Sequence, residues 1–293
     1  MASAPVPKTR KKRARPCDDG DAPQTTFSTA VEARAAVKAI THHNTRTRVW
    51  FNKRARRFED PRDGVPLGGI RPTLQTALFP HYLTERNKRS SSSDAVGSLV
   101  DKELTRFART GRLVSTRRTK KTKKPMKPHP LSRQVAARLK KESITLVAAQ
   151  VPVRDGACAT ALDLVGWMPT GKLVQVEVKT GMDVGSQSTR AGMCAAPFNH
   201  MPNAPLSHAY LQAAWAEEAA CASGLPIAAS FVVVANHTKA CKKNSGRWRP
   251  LPKALCTPAA RTELRAHVQR ARRGTRPAAA STSTIQTATL PWG

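Results

Sequence analysis

The sequence predicts a mixed α/β fold, with a mixed central sheet, covering helices, and helical and disordered basic extensions. Three observations predict it. From Ile144 to Thr180 the apolar pattern changes from a helical to a strand period, giving three successive strand candidates. A helix candidate and a continuous apolar run at 227–235 follow, and such a run suits a strand covered on both faces. Charge is segregated: residues 1–143 carry 34 Lys and Arg against 12 Asp and Glu, whereas residues 150–238 carry four cations against six carboxylates. The whole chain of 293 residues has a formal net charge of +31, with 40% hydrophobic and 5% aromatic residues. That composition argues against order from end to end. It excludes a polytopic membrane protein, since no stretch approaches the ~20 apolar residues of a spanning helix. It makes a polyanion the expected partner.

In chain order, residues 1–26 are Pro-rich and charged and read as a disordered basic arm. Its run of Lys11, Lys12 and Arg13 with neighbouring cations suits a nuclear localisation signal or an arm touching nucleic acid. The stretch has no apolar signal region, so the chain is expected to be intracellular, not secreted. Residues 27–93 read as a small helical or irregular region. Thr29 and Glu32 form a capping box for a short helix with Val31, Ala35 and Ile40 near one face. Trp50, Phe51, Phe58, Leu78, Phe79 and Tyr82 offer some core, and Arg89 with the four serines after it reads as a linker. A helix over 94–110 starts at Asp94 and stops at Gly111. The loop 112–130 is basic, with Arg117, Arg118, Lys120, Lys121, Lys123 and Lys124 as candidate nucleic-acid contacts. Ser132 caps a basic helix. Strands over 143–153, 159–168 and 172–180, a helix from Leu206 to about Ala222, and the strand at 227–235 complete the 94–238 unit. Residues 239–274 hold a basic loop and a helix signalled by Thr257, Pro258 and Gly274, and 275–293 read as a disordered tail.

The strongest chemical signal lies between Ala161 and Gly181. Pro169-Thr170-Gly171 suits a three-residue hairpin loop, with proline presetting its φ and glycine taking the left-handed position. Met168 then pairs with Lys172, which puts Asp163 opposite Glu177. Lys179, two residues on, shares their face, while Val174, Val176, Val178, Leu162 and Leu164 point to the core. Opposed carboxylates repel, and a hard divalent cation such as Mg²⁺ or Mn²⁺ relieves that repulsion. The alternative is an ordinary ion pair on a solvated sheet face, which the apolar flanks disfavour.

The Asp163…Glu177-Val178-Lys179 pattern resembles the signature of the PD-(D/E)XK nuclease superfamily. The order helix, three strands, helix, strand resembles its restriction-endonuclease-like αβββαβ core. Glu177-Val178-Lys179-Thr180-Gly181 is most similar to the branch of lambda exonuclease and RecB-type nuclease domains. The resemblance spans 94–238. It implies a metal held by Asp163, Glu177 and the Val178 carbonyl, with Lys179 orienting the attacking water. It further implies a glutamine on the next helix, for which Gln212 is the candidate, and an acidic residue on a preceding helix. Glu103 is the candidate there, with Asp101 as the other. The branch's Gln-x-x-x-Tyr pattern is not matched, because Ala216 stands four residues after Gln212.

The expected function is a Mg²⁺-dependent deoxyribonuclease, an exonuclease or a recombination or DNA-repair nuclease, acting in the nucleus or in a virus-infected cell or virion. The expected partner is DNA, without membrane and without ATP, since no G-x-x-x-x-G-K-[ST] motif is present. The alternative is a non-catalytic packaging protein of virion or chromatin, including one built on a degenerate nuclease fold. Six scattered cysteines, none spaced C-x-x-C, suit reduced thiols rather than a zinc site. Exo or endo action, strandedness, DNA against RNA, and oligomeric state stay open at this level.

Overall fold

The computed structural model describes residues 25–79, 91–117, 126–180, 192–236 and 247–274. The chain enters through α1 (Ala30–Thr47), a hairpin of β1 (Trp50–Asn52) and β2 (Arg57–Glu59), the short strand β3 (Gly68–Gly69) and α2 (Ile70–Leu78). Next come α3 (Ser91–Thr110), α4 (Pro130–Lys141), β4 (Thr145–Asp155), β5 (Cys158–Trp167) and β6 (Leu173–Thr180). The chain continues through α5 (Pro205–Ala222), β7 (Ile227–Ala235), β8 (Arg247–Pro250) and α6 (Pro258–Gly274). The four expected strands are present to within two residues, and the fold is mixed α/β.

The six-stranded sheet is open and mixed. β4 pairs antiparallel with β5 along nearly its whole length. The other edge of β5 is shared: β6 pairs antiparallel with its C-terminal end, 164–167 against 173–176, and β3 pairs parallel with Cys158 and Ala159. Between those two partners, 160–163 has no ladder neighbour on that edge among the described residues. β7 runs parallel to β6 through to Thr180, and β8 closes the far side. Beyond Val176, therefore, β6 keeps β7 but has parted from β5, which leaves a notch in the sheet.

Apolar layers cover both faces. α5 is buried nearly all round, with Leu206, Leu211, Trp215 and six alanines inside, as befits a helix pressed between a sheet and further helices. α1, α2 and α6 join it through Val37, Leu74, Leu264 and Val268. On the opposite face Val100 and Leu104 of α3 and Leu131, Val135 and Leu139 of α4 pack on Leu164, Val174, Val176 and Val178. β7 feeds both layers, Val232 and Val234 into one and Phe231 and Val233 into the other.

Several local expectations are corrected. Val31 is exposed, and the buried face of α1 is instead Ala33, Val37 and Asn44, because at about 100° per residue Ala33 lies on the opposite side of the helix from Val31. Trp50 and Phe51 are not core: they are 47% and 40% exposed on a two-stranded ribbon over which no described residue is laid as a covering layer. The serine run is not all linker, since α3 starts at Ser91. The cap of α4 is His129, whose ring accepts from Leu131 N at 3.3 Å, and Ser132 is buried inside the helix. Residues 27–79 and α6 share the core cluster of the 94–238 unit, so the boundaries drawn at 93 and 238 do not separate cores.

One ion-pair network ties the early segment to the sheet. Asp60 accepts from Arg62 Nε at 3.0 Å and Nη2 at 2.6 Å, and from Arg154 Nη1 of β4 at 2.6 Å. The hydrogen bonds from Arg62, and then those from Arg154, hold its carboxyl well below the usual carboxylate range. A depressed carboxyl stabilises the fold above its unfolded value near 3.8, and the contribution is lost as pH falls through the folded value. Asp60→Asn is therefore expected to be less stable than wild type at pH 7, with the gap closing below about pH 4. Denaturant midpoints at the two pH values check this; a gap that widens in acid contradicts it.

Candidate active site

The site is built on the β5–β6 hairpin. Met168 N donates to Lys172 O at 3.0 Å, and Gly171, at φ 83°, donates to Met168 O at 2.8 Å. The ladder runs Trp167↔Leu173 to Leu164↔Val176, the register expected from the Pro-Thr-Gly loop. Asp163 and Glu177 stand one step past its last pair, where the strands separate. The separation leaves the Val178 N–H without a strand partner, and a backbone donor in that position needs one. Asp163 supplies it: its Oδ2 accepts from Val178 N at 2.9 Å.

The α5 side of the sheet completes the cluster. Glu177 is 2% exposed. Its Oε1 accepts from Lys179 Nζ at 2.6 Å, and the same ammonium donates to Gln212 Oε1 at 3.1 Å. Gln212 reaches β6 because buried Gln175 donates to Ala213 O at 3.1 Å, fixing α5 over the strand. Asp163, Glu177, Lys179 and Gln212 are thus brought together. His208, one turn before Gln212, stacks on Phe79 with ring centroids 3.4 Å apart and shares a 2.9 Å hydrogen bond with Asn203 Oδ1.

Glu103 is elsewhere. It is fully buried, accepting from Ser115 Oγ and from His129 N, both at 2.8 Å. It anchors the segment leading into α4. The acidic residue of α3 that faces the cluster is Asp101, the other sequence candidate. Gly97, one turn earlier, lies close to Thr180 of β6. Partial burial of the Asp101 carboxyl, and then the charge of Glu177, push it up to about 6, with Lys179 opposing.

Gln150 is a residue the sequence reading missed. It lies across β4–β5 from Asp163, flanked by the pairs Ala149↔Leu164 and Val151↔Leu162. Its Nε2 approaches Asp163 Oδ1 at 3.4 Å. Its φ is 53°, a left-handed conformation that costs a non-glycine residue free energy and concentrates at functional positions. No sequence signal marks a glutamine for that conformation.

The cluster is rich in negative charge. Burial, and then the Glu177 carboxylate, push the Asp163 carboxyl well above its ordinary value, and Lys179 only partly offsets this. Among the described residues no three His, Cys, Asp or Glu side chains are gathered as a ready-made metal site. The donors present are the two carboxylates of the notch, with Lys179 against Glu177. Oxygen donors of this kind match a hard divalent cation rather than a soft one.

Of the expected nucleic-acid contacts, Lys11, Lys12, Arg13, Arg118, Lys120, Lys121, Lys123 and Lys124 lie outside the described residues. Arg117 is described, its N–H donating to Ser115 Oγ at 3.1 Å. No helix among the described residues is long and apolar enough to cross a membrane. Compared with models of known protein families and with curated protein sequences, the chain matches none.

Proposed function

We propose that this chain is a divalent-metal-dependent nuclease that hydrolyses phosphodiester bonds of DNA on a restriction-endonuclease-like core. The observation that carries the reading is the convergence of Asp163, Glu177, Lys179 and Gln212 at the notch between β5 and β6. The order α4, β4, β5, β6, α5, β7, with β6 and β7 parallel, supports the same family of folds. Asp163, Glu177 and the Val178 carbonyl would hold Mg²⁺ or Mn²⁺, which supplies Lewis acidity toward the phosphate and an acidified water. Lys179, if released from Glu177, would orient that water and offset charge on the phosphate. Gln212 keeps the ammonium on the β6 side, and Gln150 and Val178 N fix the Asp163 carboxylate.

A second reading, a non-catalytic packaging protein, is favoured by one observation: Lys179 already neutralises Glu177 at 2.6 Å, as a purely structural pair does. End-labelled linear and closed circular DNA, incubated with Mg²⁺ or with EDTA, separate the two. The nuclease reading expects loss of label or nicking with Mg²⁺ and none with EDTA. Tight binding without cleavage in Mg²⁺ or Mn²⁺ favours packaging.

A further inference from the structure

Beside the notch lies an open cleft of about 670 Å³. One wall is α3, which lines it with Asp101, Lys102, Arg106 and Arg109. The other includes Phe51 of β1, and Gln150 joins the lining. Lys102, Arg106 and Arg109 follow helical spacing, so they form one stripe about 10 Å long leading away from Asp101. Among the described residues none of the three is ion-paired, whereas Arg138, Arg154, Arg261 and Arg265 are each matched to a carboxylate.

Phe51 is set for contact rather than for packing. The residue stays 40% exposed while its ring rests on Phe58, with centroids 5.0 Å apart and planes tilted by 58°. The ribbon that carries it is held firmly. Asn52 Oδ1 accepts from Arg54 N and Ala55 N, both at 3.0 Å, and Asn52 Nδ2 donates to Glu59. The turn adds the exposed cations Lys53, Arg54 and Arg56.

We propose that this cleft is a binding track for single-stranded nucleic acid, with a base stacked on Phe51 and phosphates on Lys102, Arg106 and Arg109. Unpaired cations in a row match a phosphate backbone, and an exposed ring beside them matches a base face. A duplex has its base faces covered by their neighbours, so the ring selects for unpaired strand. Gln150 links the track to Asp163, so a strand lying there has its backbone led to the notch. That last step rests on the nuclease reading, whereas the binding claim does not.

The test is therefore made without metal. The full chain in EDTA is titrated with a fluorescein-labelled oligothymidylate and with a duplex of equal length at fixed salt. Phe51→Leu, which keeps an apolar contact with Phe58, is expected to weaken single-strand binding by about tenfold and duplex binding far less, with Phe51→Trp restoring affinity. Arg106→Gln with Arg109→Gln is expected to lower the single-strand salt slope by about 1.4, or 0.7 per phosphate contact. Equal loss on both ligands, no loss with Phe51→Leu, or displacement of the oligonucleotide by polyglutamate as readily as by unlabelled strand overturns the proposal. A chain that binds this way yet cleaves nothing retains the track and loses the nuclease.

Discussion

On the nuclease reading, Lys179→Met is expected to cut the rate of Mg²⁺-dependent cleavage by ~10²-fold or more, about 2.7 kcal/mol in the barrier at ~1.36 kcal/mol per decade. The ammonium stands between Glu177 at 2.6 Å and Gln212 at 3.1 Å, with its side chain 21% exposed. Charge placed in such a partly dry site acts on the transition state far more strongly than charge in water. Lys172 is the internal control. It sits at the hairpin end, where its backbone carbonyl closes the turn, away from the notch. Lys172→Met is expected to cleave at nearly the wild-type rate. Because Lys179 also neutralises buried Glu177, thermal midpoints of both variants are read alongside, and DNA affinity is measured for each. A rate loss shared equally by the two variants removes Lys179 from the chemistry.

The second large effect separates the two acidic residues of α3. Glu103→Ala removes a buried carboxylate that accepts from Ser115 Oγ and His129 N and leaves both donors without it. Stranding buried donors is expected to cost about 3 kcal/mol. For a chain of this size that lowers the thermal midpoint by roughly 6–12 °C. Asp101→Asn reverses the pattern: its carboxyl is on the cleft, so the midpoint moves little while cleavage slows. A Glu103→Ala protein of wild-type stability that has lost cleavage would return Glu103 to the active site.

The hairpin and its carboxylates were legible in the sequence because their signals are local. Pro169 and Gly171 define one loop, alternation defines two faces, and the register follows by counting to Asp163 and Glu177. The helix–strand order was legible for the same reason, through the change of period near Ile144. The choice between Asp101 and Glu103 was not. Glu103 falls on the apolar stripe of Val100, Leu104 and Ala108, and only its distant partners Ser115 and His129 make a carboxylate tolerable there. Neither Gln150 nor Phe51 carries a local mark. The first depends on a backbone conformation ordinarily reserved for glycine, and the second on the exposure of the β1–β2 ribbon among the described residues. The cap of α4 shows the same limit. Ser132 has the better intrinsic preference, yet the turn at Pro130 places His129 at the start.

The most direct measurement compares wild type with Glu177→Gln in single-turnover cleavage of end-labelled linear DNA, with Mg²⁺ and with EDTA, alongside binding of the same DNA. Glutamine keeps the size of the buried side chain and removes its negative charge. The nuclease reading expects Mg²⁺-dependent cleavage by wild type, none by Glu177→Gln, and binding that is unchanged or tighter in the variant, because a negative charge beside the phosphate is gone. Cleavage by Glu177→Gln at the wild-type rate, or no cleavage by wild type with either Mg²⁺ or Mn²⁺, contradicts it.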